Sequence, residues 1–308
     1  MSTTSLLNRK LRKQILYEQW MRRFPQPQEM FYGETYFVDG VNGSSSYDGL
    51  TMEHAVDTVT DGIALNNADI ALNAQHNNKI YIMGGTYAED ITGASQCDLI
   101  GLDISRSGWS PRIAGTVICN NIKGMRLFNL QILTDGSEPT VKTSGGISPH
   151  NFEMHNCEIR MSASETYGFH MYGNAYYVKI VNCRFTDDHD YGIYIEGNCK
   201  GLQIIGNYIS AKTCGVYFKQ GITTDHDSMI RGNMILRGQG ATALVTGIDF
   251  AMTNRTPNVK VIHNWIAAAD AIHYGSTSDP TFVEELSCID NHVVSSAAGT
   301  GVIETAES

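Results

Sequence analysis

An apolar strand that ends in asparagine, skips one residue and resumes with an aliphatic or aromatic side chain occurs seven times between residues 127 and 293. The copies read LFNLQI, MHNCEI, IVNCRF, IGNYI, RGNMI, IHNWI and IDNHV, with asparagines at Asn129, Asn156, Asn182, Asn207, Asn233, Asn264 and Asn291. Successive gaps are 27, 26, 25, 26, 31 and 27 residues. A period this steady means one supersecondary unit that buries its apolar side against copies of itself.

A second motif keeps the same beat: YGFHMYG at 167–173, YGIYIEG at 191–197, CGVYFKQG at 214–221, TGIDFAM at 246–252 and DAIHYG at 270–275. Within it, side chains alternate, so Ile193 and Ile195 share one side and Tyr194 and Glu196 the other. No helical pattern falls between the strands of a unit. A coil of about 26 residues with three short strands is a parallel β-helix: backbone groups pair between coils about 4.8 Å apart, and inward aliphatics stack into one core. The asparagines read as a structural ladder, because Asn tolerates the left-handed turn region and its amide can bond the next coil's Asn. Cys157 and Cys183 follow ladder positions in adjacent coils and read as small packing residues.

These coils, "G-[IV]-x-[IF]" followed by "[VI]-x-N-x-[IF]", resemble the pectate-lyase-like right-handed parallel β-helix superfamily. YFVDGVNGSSSYDGL (36–50), the helical AVDTVTDGIALNNADIAL (55–72) and KIYIMGGTYAEDI (79–91) are similar to that superfamily's N-terminal part. The resemblance implies an all-β, single-stranded right-handed parallel β-helix, its first coil capped by a helix at about 55–72 and its regular coils running over about 79–305. Residues 36–308 then form the body, and residues 1–35 an arm. The superfamily includes lyases, hydrolases, epimerases and phage spikes, so the fold does not select an activity.

In the arm, Leu7, Leu11 and Ile15 recur at i+4 beside a row of Leu16, Trp20 and Phe24, which predicts an amphipathic helix preceding the cap helix. Pro25 and Pro27 end it. A helix this short is marginal alone, so its apolar stripe needs a surface: its own body, another copy, or a larger assembly. Charge divides the same way: residues 1–35 carry +3 of a net −10, leaving −13 on the body. So acidic a body makes nucleic acid a poor partner. No apolar run approaches eighteen residues and the arm lacks a lipidation signal, so no membrane partner is expected. Leu6 and Leu7 run straight into charges, unlike a secretory signal, and seven cysteines without a CxxC pair suit a reducing cytoplasm.

The catalytic sets of related enzymes are missing: the chain has no G-H-G and no R-I-K. Two acidic knots remain, Thr186-Asp187-Asp188-His189-Asp190 and Thr224-Asp225-His226-Asp227. From these, Asp187, Asp188, Asp225 and Asp227 are the catalytic candidates, since a carboxylate pair can serve glycoside hydrolysis. The same oxygens suit Ca²⁺, although no metal site is assigned and no cofactor is expected. The outward positions of the second motif, His170, Tyr172, Tyr194, Glu196, Tyr217, Lys219, Asp249 and His273, should form a stripe along one side, fit for an extended glycan or a subunit interface.

Two functions stay open. One is a non-enzymatic structural virion protein of a tailed bacteriophage, such as a capsid decoration, head-fibre or spike subunit. It would assemble in the host cytoplasm, dock on other capsid or tail proteins through residues 1–35, and form a homo-oligomer, with a trimer favoured. The other is a polysaccharide-degrading or glycan-binding protein: a tailspike depolymerase, a polysaccharide lyase or glycoside hydrolase, or an adhesin for surface glycan.

Overall fold

A computed structural model describes residues 33–102, 111–134, 138–143, 149–161, 167–186, 189–219, 224–225, 228–237, 244–251, 259–274 and 286–295. Successive coils pair in parallel along three faces, which among the described residues hold ten, eight and nine strands. In one full coil, Glu153–His155 lies on the first face, Glu158–Met161 on the third and Tyr167–Met171 on the second. The chain then returns to the first face at Lys179–Val181. Three coils depart from the three-strand expectation by adding a short fourth strand before that return: Ala175–Tyr176, Cys199–Lys200 and Thr224–Asp225.

Stacking in register turns the alternation of each strand into continuous rows. On the first face Leu99, Leu127, Met154, Ile180, Ile204, Ile230 and Val261 follow one another inward, all fully buried. On the third face Ile113, Ile132, Ile159, Phe185, Ile209, Ile235 and Ile266 do the same. Each such side chain contributes about 1.5–3 kcal/mol by leaving water. The core is therefore a column of coil-on-coil contacts, and the outer rows are free to vary.

The helix expected near 55–72 runs from Val59 to Leu72. Thr58 caps it by accepting from Asp61 N at 3.0 Å. The Glu89 carboxylate accepts from Val59 N at 2.8 Å and Thr60 N at 3.0 Å, a negative charge at the positive end of the helix. Val59 and Ile63 are buried in the core with Val38 and Ile80, so the helix closes the first coil. Among the described residues no helix is long and apolar enough to cross a membrane. The arm residues Leu7, Leu11, Ile15, Leu16, Trp20 and Phe24 lie outside the described residues.

The seven asparagines divide into two structural positions, which corrects the single ladder expected from their spacing. The left-handed corner between the first and third faces is occupied by Asn129 (φ 55°), Asn156 (φ 53°), Asn182 (φ 52°), Gly206 (φ 65°), Gly232 (φ 62°), His263 (φ 53°) and Asp290 (φ 50°). Asn207, Asn233, Asn264 and Asn291 instead sit one residue later, where earlier coils have Leu130, Cys157 and Cys183. Among the described residues these four form the amide ladder: Nδ2 of Asn207, Asn233 and Asn264 each donates at 2.9 Å to the next Oδ1, and Asn291 Nδ2 donates to Val261 O at 2.9 Å. The cause is one short coil: the corner moves 24 residues from Asn182 to Gly206, so a gap of 25 between asparagines already includes a change of position.

Candidate functional site

The outer side of the second face carries the densest group of aromatic and charged side chains in the described structure, and a glycine shapes it. In Tyr191–Ile195 a β-carbon on Gly192 would stand 2.4 Å from Ile209 Cγ2, so Gly192 fills the inward place against the third face. Gly168, Gly215 and Gly247 are equally enclosed, with Phe185, Ile235 and Ile266 against them. Two consecutive inward residues, Gly192 and Ile193, break the alternation and leave Tyr191 outside with Tyr194.

The rings consequently form one cluster across three coils. Tyr167 lies 4.5 Å from both His170 and Tyr194 between ring centroids, and 5.6 Å from Tyr191. Tyr194 and Tyr217 stack at 4.8 Å, and Tyr191 meets Tyr217 at 5.3 Å. Burial among these rings raises the phenol pKa of Tyr167, Tyr191, Tyr194 and Tyr217, so all four hydroxyls stay protonated and can donate as well as accept.

Glu196 is the polar centre. His170 Nε2 lies 3.0 Å from Glu196 Oε2, and Lys219 Nζ bonds Oε1. Burial alone would raise the Glu196 carboxyl, but the bonds from Lys219 and His170 outweigh it and hold it below the ordinary range. Burial lowers His170, leaving a neutral ring that donates Nε2–H to an ionised carboxylate. One row on, His273 Nδ1 lies 2.8 Å from Asp249 Oδ1. The backbones of Glu196 and Asp249 are two coils and two residues apart, about 12 Å at ordinary strand spacing and rise. The face presents ring edges and faces, hydroxyls and fixed carboxylate acceptors.

The structure places His170, Tyr194, Tyr217, Asp249 and His273 in one register row. Tyr172, Glu196 and Lys219 follow the inward Met171, Ile195 and Phe218 as the next outward positions. Strict alternation missed Tyr167 and Tyr191; the glycine after each was the available signal. Asp187, Asp188 and Asp227 lie outside the described residues. Asp225 belongs to Thr224–Asp225, in register with Lys200 on the small fourth sheet and off the second face. Among the described residues no group of three His, Cys, Asp or Glu side chains is gathered as metal ligands.

A family model described as a right-handed β-helix region matches residues 140–308, more than half of the chain. The chain belongs to this right-handed parallel β-helix family. No curated protein sequence matches it. Among solved structures it is similar to pectin methylesterase PemA from Erwinia chrysanthemi, at 11% identity over 87% of this chain and 91% of that one, with a TM-score of 0.48. A pectin methylesterase from Aspergillus niger in deglycosylated form gives 12% identity, 88% and 92% coverage and a TM-score of 0.40. The GH136 lacto-N-biosidase from Eubacterium ramulus gives 8% identity, 92% and 70% coverage and a TM-score of 0.35.

Proposed function

We propose that the protein is a glycan-binding β-helix whose second face takes a neutral polysaccharide chain. The supporting observation is the cluster of Tyr167, Tyr191, Tyr194 and Tyr217 around the fixed Glu196 carboxylate. Apolar ring surface beside a few oriented polar groups suits sugars, which present C–H faces and hydroxyl edges. Charge narrows the class. Lys219 is already paired with Glu196 and Lys142 with Glu138, while Asp249 adds a further negative charge. A uronate carboxylate would have to break one of these pairs, whereas a neutral hydroxyl accepts or donates without doing so.

Retention in native gels containing dextran, galactomannan or arabinoxylan, against polygalacturonate and alginate, tests this. Retardation by a neutral polymer, lost in a Tyr194→Ala/Tyr217→Ala double variant with unchanged melting, is the expected result. Retardation by the acidic polymers alone would overturn the neutral class. A second copy of the chain is the competing occupant of this tyrosine-rich face. Light scattering that shows a trimer, together with no retention by any polymer, would assign the tyrosines to subunit contact and return weight to a virion assembly role.

A further inference from the structure

We propose that Tyr177 is a ligand-stacking residue that carries the glycan surface round the corner of the coil; this rests on the reading of the second face as glycan-binding. Tyr177 adopts φ 57°, the left-handed region where the β-carbon of an L residue crowds its own carbonyl. Bulky residues are rare there and signal a constraint. The same corner on neighbouring coils, linked by the bonds Asn151 N to Tyr176 O at 2.8 Å and Tyr177 N to Lys200 O at 2.6 Å, holds Asn151 (φ 54°) and Gly201 (φ 69°). Asparagine and glycine accept this conformation at low cost, so tyrosine is the anomalous choice.

Core packing does not account for it, since Tyr177 is 53% exposed. Its ring is nonetheless seated: a β-carbon on Gly201 would fall 2.7 Å from Tyr177 Cδ1 and 3.2 Å from Cε1. Glycine at 201 thus makes room for one side of the ring while the residue remains open to solvent. The same coil carries Tyr172, 51% exposed, five residues earlier, a reach of at most about 18 Å along the chain. Between them Tyr176 stacks on His150 at 4.6 Å. Aromatic surface therefore continues from the second face across the small fourth sheet, so a ligand seated on the tyrosine cluster can extend sideways across the coil as well.

The test is Tyr177→Asn, with Tyr177→Phe as companion, assayed for melting temperature and for retention by dextran, galactomannan and arabinoxylan. Asparagine relieves the backbone, so Tm should stay level or rise by about 2 °C, while retention weakens about fivefold through the lost stacking surface. Phenylalanine should keep most of the retention. A merely structural tyrosine would move both readouts downward together, so a fall in Tm for Tyr177→Asn overturns the proposal. Unchanged retention in Tyr177→Asn, with retention lost in Tyr194→Ala/Tyr217→Ala, overturns it and leaves the second-face reading standing. Failure of the wild-type chain to be retained by any of the three polymers overturns both.

Discussion

Asn233 Oδ1 accepts two hydrogen bonds from Asn207, one from the backbone N–H and one from Nδ2, both at 2.9 Å. Its own Nδ2 donates to Ile204 O at 2.9 Å, and the residue is buried. Each amide in this ladder thus satisfies backbone groups that lie beyond water's reach at the corner. Asn233→Ala would remove the acceptor of the Asn207 backbone N–H, one of the two bonds made by Asn207 Nδ2 and the side-chain donor to Ile204 O, and should cost roughly 3–5 kcal/mol. Asn291→Ala, at the less buried outer end, should cost about 1–2 kcal/mol. Urea unfolding of the two variants side by side checks the order; equal losses would mean that the ladder is not what closes the corner.

The glycine at the second position of four second-face strands, Gly168, Gly192, Gly215 and Gly247, is a packing requirement. A β-carbon on Gly215 would stand 2.3 Å from Ile235 Cγ2 and 2.7 Å from Gly247 O, and neither atom belongs to a flexible chain end. Gly215→Ala should therefore destabilise by about 2–3 kcal/mol through overpacking, despite the better strand propensity of alanine. Ile235→Val in the same chain removes part of the obstructing side chain but not Cγ2 itself. Only a small recovery in urea midpoint is expected from the double variant, and full recovery would show that the clash lies elsewhere.

The solenoid was readable in the sequence because its physics is periodic: one inward row per face imposes the same residue class on every coil, as Ile180, Ile204 and Ile230 show. The corner was harder to read. Asn182 and Asn207 look alike in sequence, yet one adopts the left-handed turn and the other supplies a buried amide, because Gly206 takes the corner in the later coil and Asn207 sits one residue past it. The eight outward stripe residues followed from alternation. Tyr191 did not, since alternation fails where Gly192 takes a second consecutive inward place. Tyr177 was invisible for a different reason: a left-handed tyrosine has no sequence signature, and only its backbone angle and its seat on Gly201 mark it.

All seven cysteines are in the described structure, and none forms a disulfide. Burial pushes the Cys199 thiol up to about 12 and raises Cys97, Cys119 and Cys214 as well, which suppresses the reactive thiolate. Cys288 is only partly buried. Titration of the native protein with an aromatic disulfide reagent at pH 8 should find at most one accessible thiol per chain, at Cys288, and seven after denaturation. Cys288→Ser should abolish the native reaction. Two or more fast thiols in the native state would show that the coils open far more readily than their packing implies.

Glu153 sets an acid limit on the first face. Its carboxylate meets His155 Nε2 and Lys179 Nζ, each at 2.8 Å. The bond from His155 does most to hold its pKa at about 2; burial opposes this, and Lys179 adds to the lowering. Because the folded value lies below the unfolded one, the unfolded chain takes up the proton first as pH falls. Glu153's contribution to stability is therefore complete above the ordinary carboxylate range of about 4.3 and is lost progressively as pH falls toward the folded value. In Glu153→Gln that contribution is missing at every pH. Urea midpoints at pH 6, 4.5 and 3 should show wild type ahead of the variant at pH 6, with the gap narrowing by pH 3. A gap that stays constant over this window would mean that the side chain's packing, and not its charge, provides the stability.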